Sequence, residues 1–120
     1  MTKQEIFDKI ALHLLRQNKK SVNKSGFCAY RGTDGLKCAA GCLIDDLEYK
    51  PEMEIHNFGM VFTTDNGINV FDELLKNKPY LYDNLELIKT LQRIHDNHNV
   101  CEWKEELNYL AKRQNLLGIP

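Results

Sequence analysis

One segment, residues 28–46, interrupts a sequence that is otherwise patterned as amphipathic helix. It reads Cys-Ala-Tyr-Arg-Gly-Thr-Asp-Gly-Leu-Lys-Cys-Ala-Ala-Gly-Cys-Leu-Ile-Asp-Asp and contains three of the four cysteines and three of the seven glycines. Glycine allows turns and close backbone approaches that an uninterrupted helix does not need. The segment therefore argues against a purely helical fold, and we expect it to build part of any functional site.

Most of the chain outside this segment shows helical periodicity. Thr2 followed by Glu5 fits a capping box, and apolar residues then recur at helical spacing until about Asn18. Further helices are expected at residues 38–47, 68–76, 81–98 and 102–114.

The last two of these helices should pair as a helical hairpin. Trp103 and Tyr109 are expected to fill the core between them. The inward face of the long helix is formed by Leu87 or Ile88, Leu91, Ile94 and His95.

A β-hairpin is also predicted. Thr33-Asp34-Gly35 is a turn signal, and short runs at residues 27–31 and 36–37 flank it. An isolated hairpin is marginally stable in water, so it should pack on the helices. We therefore expect an α+β, mainly α fold: a single domain over residues 1–120 with about five helices and one short β-hairpin. Residues 51–67 should be irregular, with a short strand at 60–63 and Glu52 and Glu54 on a solvated loop.

Composition narrows the class of protein. The 120 residues suit one domain, and the formal net charge of -1 creates no global field for nucleic acid or acidic lipid. The basic run at residues 16–24 is typical of a solvated helix end. No apolar run reaches the length of a signal peptide or a membrane span. We therefore expect a soluble, cytoplasmic protein with reduced cysteines and no membrane partner.

The cysteines and histidines allow a zinc site as one hypothesis. Cys38 and Cys42 lie one helical turn apart, and Cys28 and His95 complete the four ligands that tetrahedral zinc requires. No Cys-x-x-Cys pair is present, and free cysteines are commonly buried as small apolar residues. We therefore expect no cofactor, with zinc as the alternative.

Cys38 with His95 forms an alternative, enzymatic hypothesis. Cys38 would lie in the first turn of a helix beside Lys37, and both features lower a thiol pKa. His95 would then be the base of an activated nucleophile. Asp96 should point about 100° away from its neighbour His95 and orient some other group. The structural alternative for His95 is a histidine at the edge of the core, bonded to a backbone carbonyl.

The leading hypothesis is a recognition site that contains Tyr30, Arg31, His95 and Asp96. Arginine presents a planar donor fork that suits carboxylate or phosphate, and tyrosine adds a flat apolar face with a hydroxyl. In the structural alternative, Arg31 only pins the hairpin to the next helix. Its carboxylate partners would then be Asp34, Asp45 or Asp46.

The chain carries three distinctive stretches: Thr-Lys-Gln-Glu-Ile-Phe-Asp at 2–8, Cys-Ala-Tyr-Arg-Gly-x-Asp-Gly-x-Lys-Cys-Ala-x-Gly-x-Leu-Ile-x-Asp at 28–46, and Leu-Gln-Arg-Ile-His-Asp at 91–96. Together they resemble a family of small, functionally uncharacterised proteins from bacteriophages, prophages and bacteria. In that family another residue often stands at the position of Cys42, which weakens the zinc hypothesis, and a proline commonly stands where this chain has Asp45.

The resemblance implies a small phage-type accessory protein in the cytoplasm of a bacterial host. It would act by binding a host protein or a small-molecule ligand, and the kind of genome suggests that it counteracts host defence. The positions that match the motif are Cys28, Tyr30, Arg31, Gly35, Cys38, Gly41, His95 and Asp96.

Overall fold

The computed structural model describes residues 1–55 and 70–120, and these residues build a helical domain. The α-helices within them are α1 (Lys3–Gln17), α2 (Asp72–Asn77), α3 (Pro79–Asp83), α4 (Leu85–Asn97) and α5 (Trp103–Arg113). Single 3₁₀ turns occur at Thr33–Gly35, Gly41–Leu43, Pro51–Ile55 and Val100–Glu102. The strand predicted at residues 60–63 lies outside the described residues.

The first helix begins and ends where the sequence predicts. The Thr2 hydroxyl accepts the Glu5 N–H at 3.1 Å, and the Glu5 carboxylate accepts the Thr2 N–H at 2.8 Å, which is a complete capping box. Asn18 ends the helix in the left-handed conformation at φ 53° and donates its N–H to the Leu14 carbonyl. The capping prediction is confirmed.

Three helices meet in the core, because α1 packs against both α4 and α5, which run antiparallel to each other. Their facing side chains are fully or almost fully buried, and Trp103 has no exposed surface. Tyr109 is 60% exposed, so the prediction that it fills the core is wrong. The buried face of α4 is confirmed, and it consists of Leu87, Ile88, Leu91, Ile94 and His95.

Two predicted helices are shorter than expected. The helix predicted at residues 81–98 is divided, because Pro79 begins the separate helix α3 and α4 starts only at Leu85. The helix predicted at 38–47 is reduced to the 3₁₀ turn at Gly41–Leu43. Gly41 lies against the Tyr30 backbone, and a Cβ atom there would collide with the Tyr30 carbonyl oxygen. This close approach explains why residue 41 is a glycine.

The predicted β-hairpin, and with it the α+β fold class, is wrong. Among the described residues there is no strand, and the one antiparallel bridge joins Val22 to Cys28. The backbone groups of this segment have other partners: Ala29 donates its N–H to the Ser21 carbonyl, and Tyr30 and Arg31 donate theirs to a side chain. No described helix combines the length and apolarity that crossing a membrane requires.

Candidate functional site

His95 lies near the end of α4 with its ring fully buried and both nitrogens hydrogen-bonded. Nε2 accepts the backbone N–H of Ser21 at 3.0 Å, and Nδ1 lies 2.7 Å from Oδ1 of Asp96. Because Ser21 supplies a donor, Nε2 must be the unprotonated nitrogen, and the ring proton is on Nδ1, directed at Asp96. The ring also stacks on Trp103, with centroids 5.5 Å apart.

Asp96 is the carboxylate that orients His95, so the prediction that it would orient another group is wrong. Its Oδ1 also accepts the amide of Gln92 at 2.7 Å, and the Cys28 thiol hydrogen-bonds to the same carboxyl group. Partial burial favours the neutral acid, but the hydrogen bonds from His95, Cys28 and Gln92 outweigh it and lower the Asp96 pKa.

Ser21, Cys28, His95 and Asp96 together form what we call the α4 clasp. Ser21 and Cys28 stand at the two ends of one loop, which is closed by the Val22–Cys28 bridge and by the Ser21 hydroxyl on the Ala29 carbonyl at 2.7 Å. One end of the loop is bonded to His95 and the other to Asp96. The clasp therefore fixes the loop to α4.

The clasp contains the donor atoms of a three-ligand metal group, but its hydrogen bonds oppose ligation. Cys28, His95 and Asp96 place donor atoms within 4.8 Å of one another. A metal ion on Nδ1 would require the ring proton to move to Nε2, where it would face the Ser21 N–H. Across the described residues, no such group of three includes Cys38 or Cys42. The predicted ligand set Cys28, Cys38, Cys42 and His95 is therefore not brought together.

Cys38 lacks the features on which the enzymatic hypothesis rested. Its side chain is buried, and its sulfur accepts the N–H of Gly41, the first residue of the 3₁₀ turn, at 3.3 Å. Burial raises the Cys38 pKa far above its usual range, so the predicted lowering is wrong. Burial also raises the Cys42 pKa to about 11, and the Cys42 thiol donates to the Ala39 carbonyl.

Arg31 makes the contacts expected in the structural alternative, in which it attaches its own segment to the next one. Its guanidinium donates to the Gly41 carbonyl at 2.8 Å, to the Ile44 carbonyl at 2.5 Å and to the Asp46 carboxylate at 3.1 Å. The guanidinium carbon also lies 4.9 Å from the centroid of the Tyr49 ring. Since these contacts occupy the donor fork, the structure favours the structural alternative for Arg31 over recognition.

Glu54 was expected on a solvated loop, but it accepts hydrogen bonds from the central motif. Oε1 accepts the Tyr30 N–H at 2.9 Å, and Oε2 accepts the Arg31 N–H at 3.0 Å and the Tyr49 hydroxyl at 2.6 Å. The Tyr30 side chain is buried and meets Phe71 edge to face, with ring centroids 6.2 Å apart. Tyr30 therefore belongs to the core, and Glu54 replaces the partner strand that the hairpin prediction assumed.

The loop that the clasp holds presents an exposed aromatic ring. Phe27 is 72% exposed at the end of a tight turn, residues 23–27. Asn23 organises this turn: its side-chain oxygen accepts the N–H groups of Ser25 and Phe27, and its own N–H donates to the Phe27 carbonyl at 2.7 Å. Gly26 completes the turn at φ 87°. The hydrogen bonds of this turn therefore hold the exposed ring of Phe27 in a defined position.

Two lysines lie close to Phe27 along the chain. Lys24 lies within the turn and is exposed, and Lys20 donates its ammonium to the Asp96 backbone carbonyl at 3.3 Å, beside Cys28. We call Lys20, Lys24, Phe27 and Cys28 the turn surface. The sequence analysis identified these lysines only as the basic end of a helix, and no sequence pattern indicated that Phe27 is exposed.

Comparison of the chain with protein-family models, with curated proteins and with solved structures finds no match.

Proposed function

We propose that this chain is a small phage-type accessory protein that acts in the host cytoplasm by binding a host protein through the turn surface. The observation that carries the proposal is the exposure of Phe27 on a turn that is closed by hydrogen bonds and fixed to α4 by the clasp. Such a ring loses little conformational freedom when it enters a cavity on a partner, which favours an anchor in recognition.

The positive charge of the turn surface favours a partner whose binding cavity is bordered by acidic residues. Lys24 lies in the same turn as Phe27, and Lys20 lies beside Cys28. The carboxylate of Asp96 is already hydrogen-bonded to His95 and Gln92. A partner that offers an apolar cavity bordered by carboxylates would complement both features. The resemblance to phage proteins makes a component of a host defence system the class of partner to test first.

The internal contacts of His95, Cys38 and Arg31 also favour binding over catalysis. Both nitrogens of His95 are bonded within the fold, the Cys38 thiol is buried, and the Arg31 donor fork is occupied by carbonyls and a carboxylate. His95 and Arg31 each join two segments of the chain, whereas the Cys38 sulfur is bonded within its own segment. Leu47, Ile55 and Leu117 are exposed as well, and Phe27 is chosen over them because its turn is closed by hydrogen bonds and fixed to α4.

Site-specific crosslinking tests the proposal. A photoreactive phenylalanine analogue at position 27 is expressed in the host, and the same analogue at Tyr82, a ring that is 61% exposed on α3, is the matched control. The expected result is one host protein captured from position 27 and not from position 82. The purified partner should then bind the native chain and lose about tenfold in affinity with Phe27→Ala or Lys24→Glu.

The same experiment can overturn the proposal. Equal capture from positions 27 and 82 would show that the contact is nonspecific. A partner that binds Phe27→Ala and Tyr82→Ala with the affinity of the native chain would place the contact elsewhere. Circular dichroism and thermal melts of each variant exclude unfolding, because both rings are exposed and few contacts are lost.

A further inference from the structure

A cleft lies between α4 and α5, and it is separate from the turn surface. Its volume is about 260 Å³, and two arginines line it, Arg93 from α4 and Arg113 from the last turn of α5. Thr90, Asn97 and Tyr109 also line it. The cleft therefore gathers hydrogen-bond donors from both helices of the antiparallel pair.

Internal contacts hold the two guanidinium groups. Arg93 donates to the Thr90 hydroxyl at 3.0 Å, and that hydroxyl donates in turn to the Glu86 carbonyl at 2.9 Å. The Arg113 guanidinium lies over the Tyr109 ring, 5.6 Å from its centroid. Both contacts leave further N–H donors of each guanidinium available, because arginine has five.

The charges in the cleft are unbalanced. Within residues 1–55 and 70–120, neither Arg93 nor Arg113 forms an ion pair with a carboxylate. The cleft contains one acidic side chain, Glu106, whose carboxylate lies 3.8 Å from Nε2 of His98. Two like charges that line one cleft repel each other, and an anion between them would relieve that repulsion.

We propose that this cleft binds a small phosphate-bearing anion. Two planar guanidinium forks match the tetrahedral oxygens of a phosphate group, and the Asn97 side chain adds a neutral amide donor at the rim. The volume is below the range that holds a drug-sized ligand, so the cleft suits a phosphate or pyrophosphate group better than a whole nucleotide. This site is independent of the host-protein surface proposed above.

A titration of isotope-labelled protein with pyrophosphate, followed by NMR at physiological salt, tests the proposal. We expect saturable shifts at the amides of Thr90, Asn97 and Tyr109. Arg93→Gln and Arg113→Gln should each weaken binding by about tenfold or more, as expected for a lost charge-assisted contact. Lys104→Gln, which removes an exposed cation of α5 that does not line the cleft, is the matched control and should change affinity less than about twofold.

Glu106→Gln gives a result of opposite sign. Removal of the carboxylate that competes with the ligand should strengthen pyrophosphate binding severalfold, which a nonspecific loss of structure would not do. Shifts that fail to saturate, or equal weakening by Lys104→Gln, would overturn the proposal. Equal affinity for citrate would overturn the phosphate assignment. All of the substituted residues lie at least partly exposed, so the spectra of the free variants serve to confirm that they fold.

Discussion

Ser21 and His95, which are 74 positions apart in the chain, are joined by a buried hydrogen bond of 3.0 Å from the Ser21 N–H to Nε2 of the His95 ring. Both residues are completely shielded from solvent. A buried backbone N–H must find an acceptor, and here the acceptor is a side chain, since no strand is present beside it in the described residues. The loop thus depends on α4 for its position.

His95→Ala should destabilise the protein strongly. The substitution leaves the Ser21 N–H buried without a partner, which costs about 1–3 kcal/mol before the lost stacking on Trp103 is counted. Chemical denaturation measures the difference in the free energy of unfolding. His98→Ala is the matched control, because His98 is partly exposed and should cost less than about 0.5–1 kcal/mol. Equal losses for the two histidines would show that the clasp contributes nothing.

The mainly helical character of the fold could be predicted from the sequence, because helical periodicity is a local pattern, whereas the predicted β-hairpin was wrong. The inward positions of α5 are Trp103, Leu107, Leu110 and Ala111, and this spacing leaves Tyr109 on the outer side. Tyr109 was predicted to be buried because it is aromatic, but its position in the helical repeat places it on the outer face of α5. Pro79 likewise divides the region that was predicted as one long helix.

The hydrogen bonds of the α4 clasp and of Glu54 could not be predicted from the sequence in this way. Glu54 is more than twenty positions from the N–H groups that it accepts, and no periodicity links it to Tyr30. The segment after Phe27 has residues that suit a strand, yet its backbone groups bond to Ser21 and Glu54 instead of to a second strand. Contacts between a side chain and a distant backbone leave no pattern in a single sequence.

Trp103→Ala should cost about 3–5 kcal/mol, as expected for a large aromatic side chain with no exposed surface. Such a loss is a large part of the 5–15 kcal/mol that stabilises a typical domain. Tyr109→Ala on the outer side of the same helix is the control, with an expected change within about 1 kcal/mol. A thermal melt compares the two, and an unchanged melting temperature for Trp103→Ala would contradict the packing of α5.

Alkaline pH should destabilise the fold through its cysteines. Burial raises the pKa of Cys42 from 9.0 to about 11. Cys28 is exposed at the surface, but partial desolvation and the hydrogen bond to the Asp96 carboxylate raise its pKa to about 11 as well. The folded state therefore holds these protons more tightly than the unfolded chain. This contribution to stability is complete below pH 9 and is lost as the pH rises through 11.

The pH dependence of the double variant Cys28→Ala/Cys42→Ala isolates this contribution. Denaturation at several pH values from 8 to 11 should show a shallower decline for the double variant than for the native chain. Parallel profiles for the native chain and the double variant would show that these thiols do not titrate differently on unfolding.

Arg31→Ala should lower the free energy of unfolding by about 1–3 kcal/mol, because the carbonyls of Gly41 and Ile44 lose their donor. Arg31→Lys should recover only part of the loss, since an ammonium group lacks the planar fork that reaches both carbonyls. Arg16→Ala removes an exposed arginine at the end of α1 and should have little effect. If Arg31→Ala instead melts like the native chain and loses binding to the crosslinked host partner, Arg31 is a recognition residue and the pin is wrong.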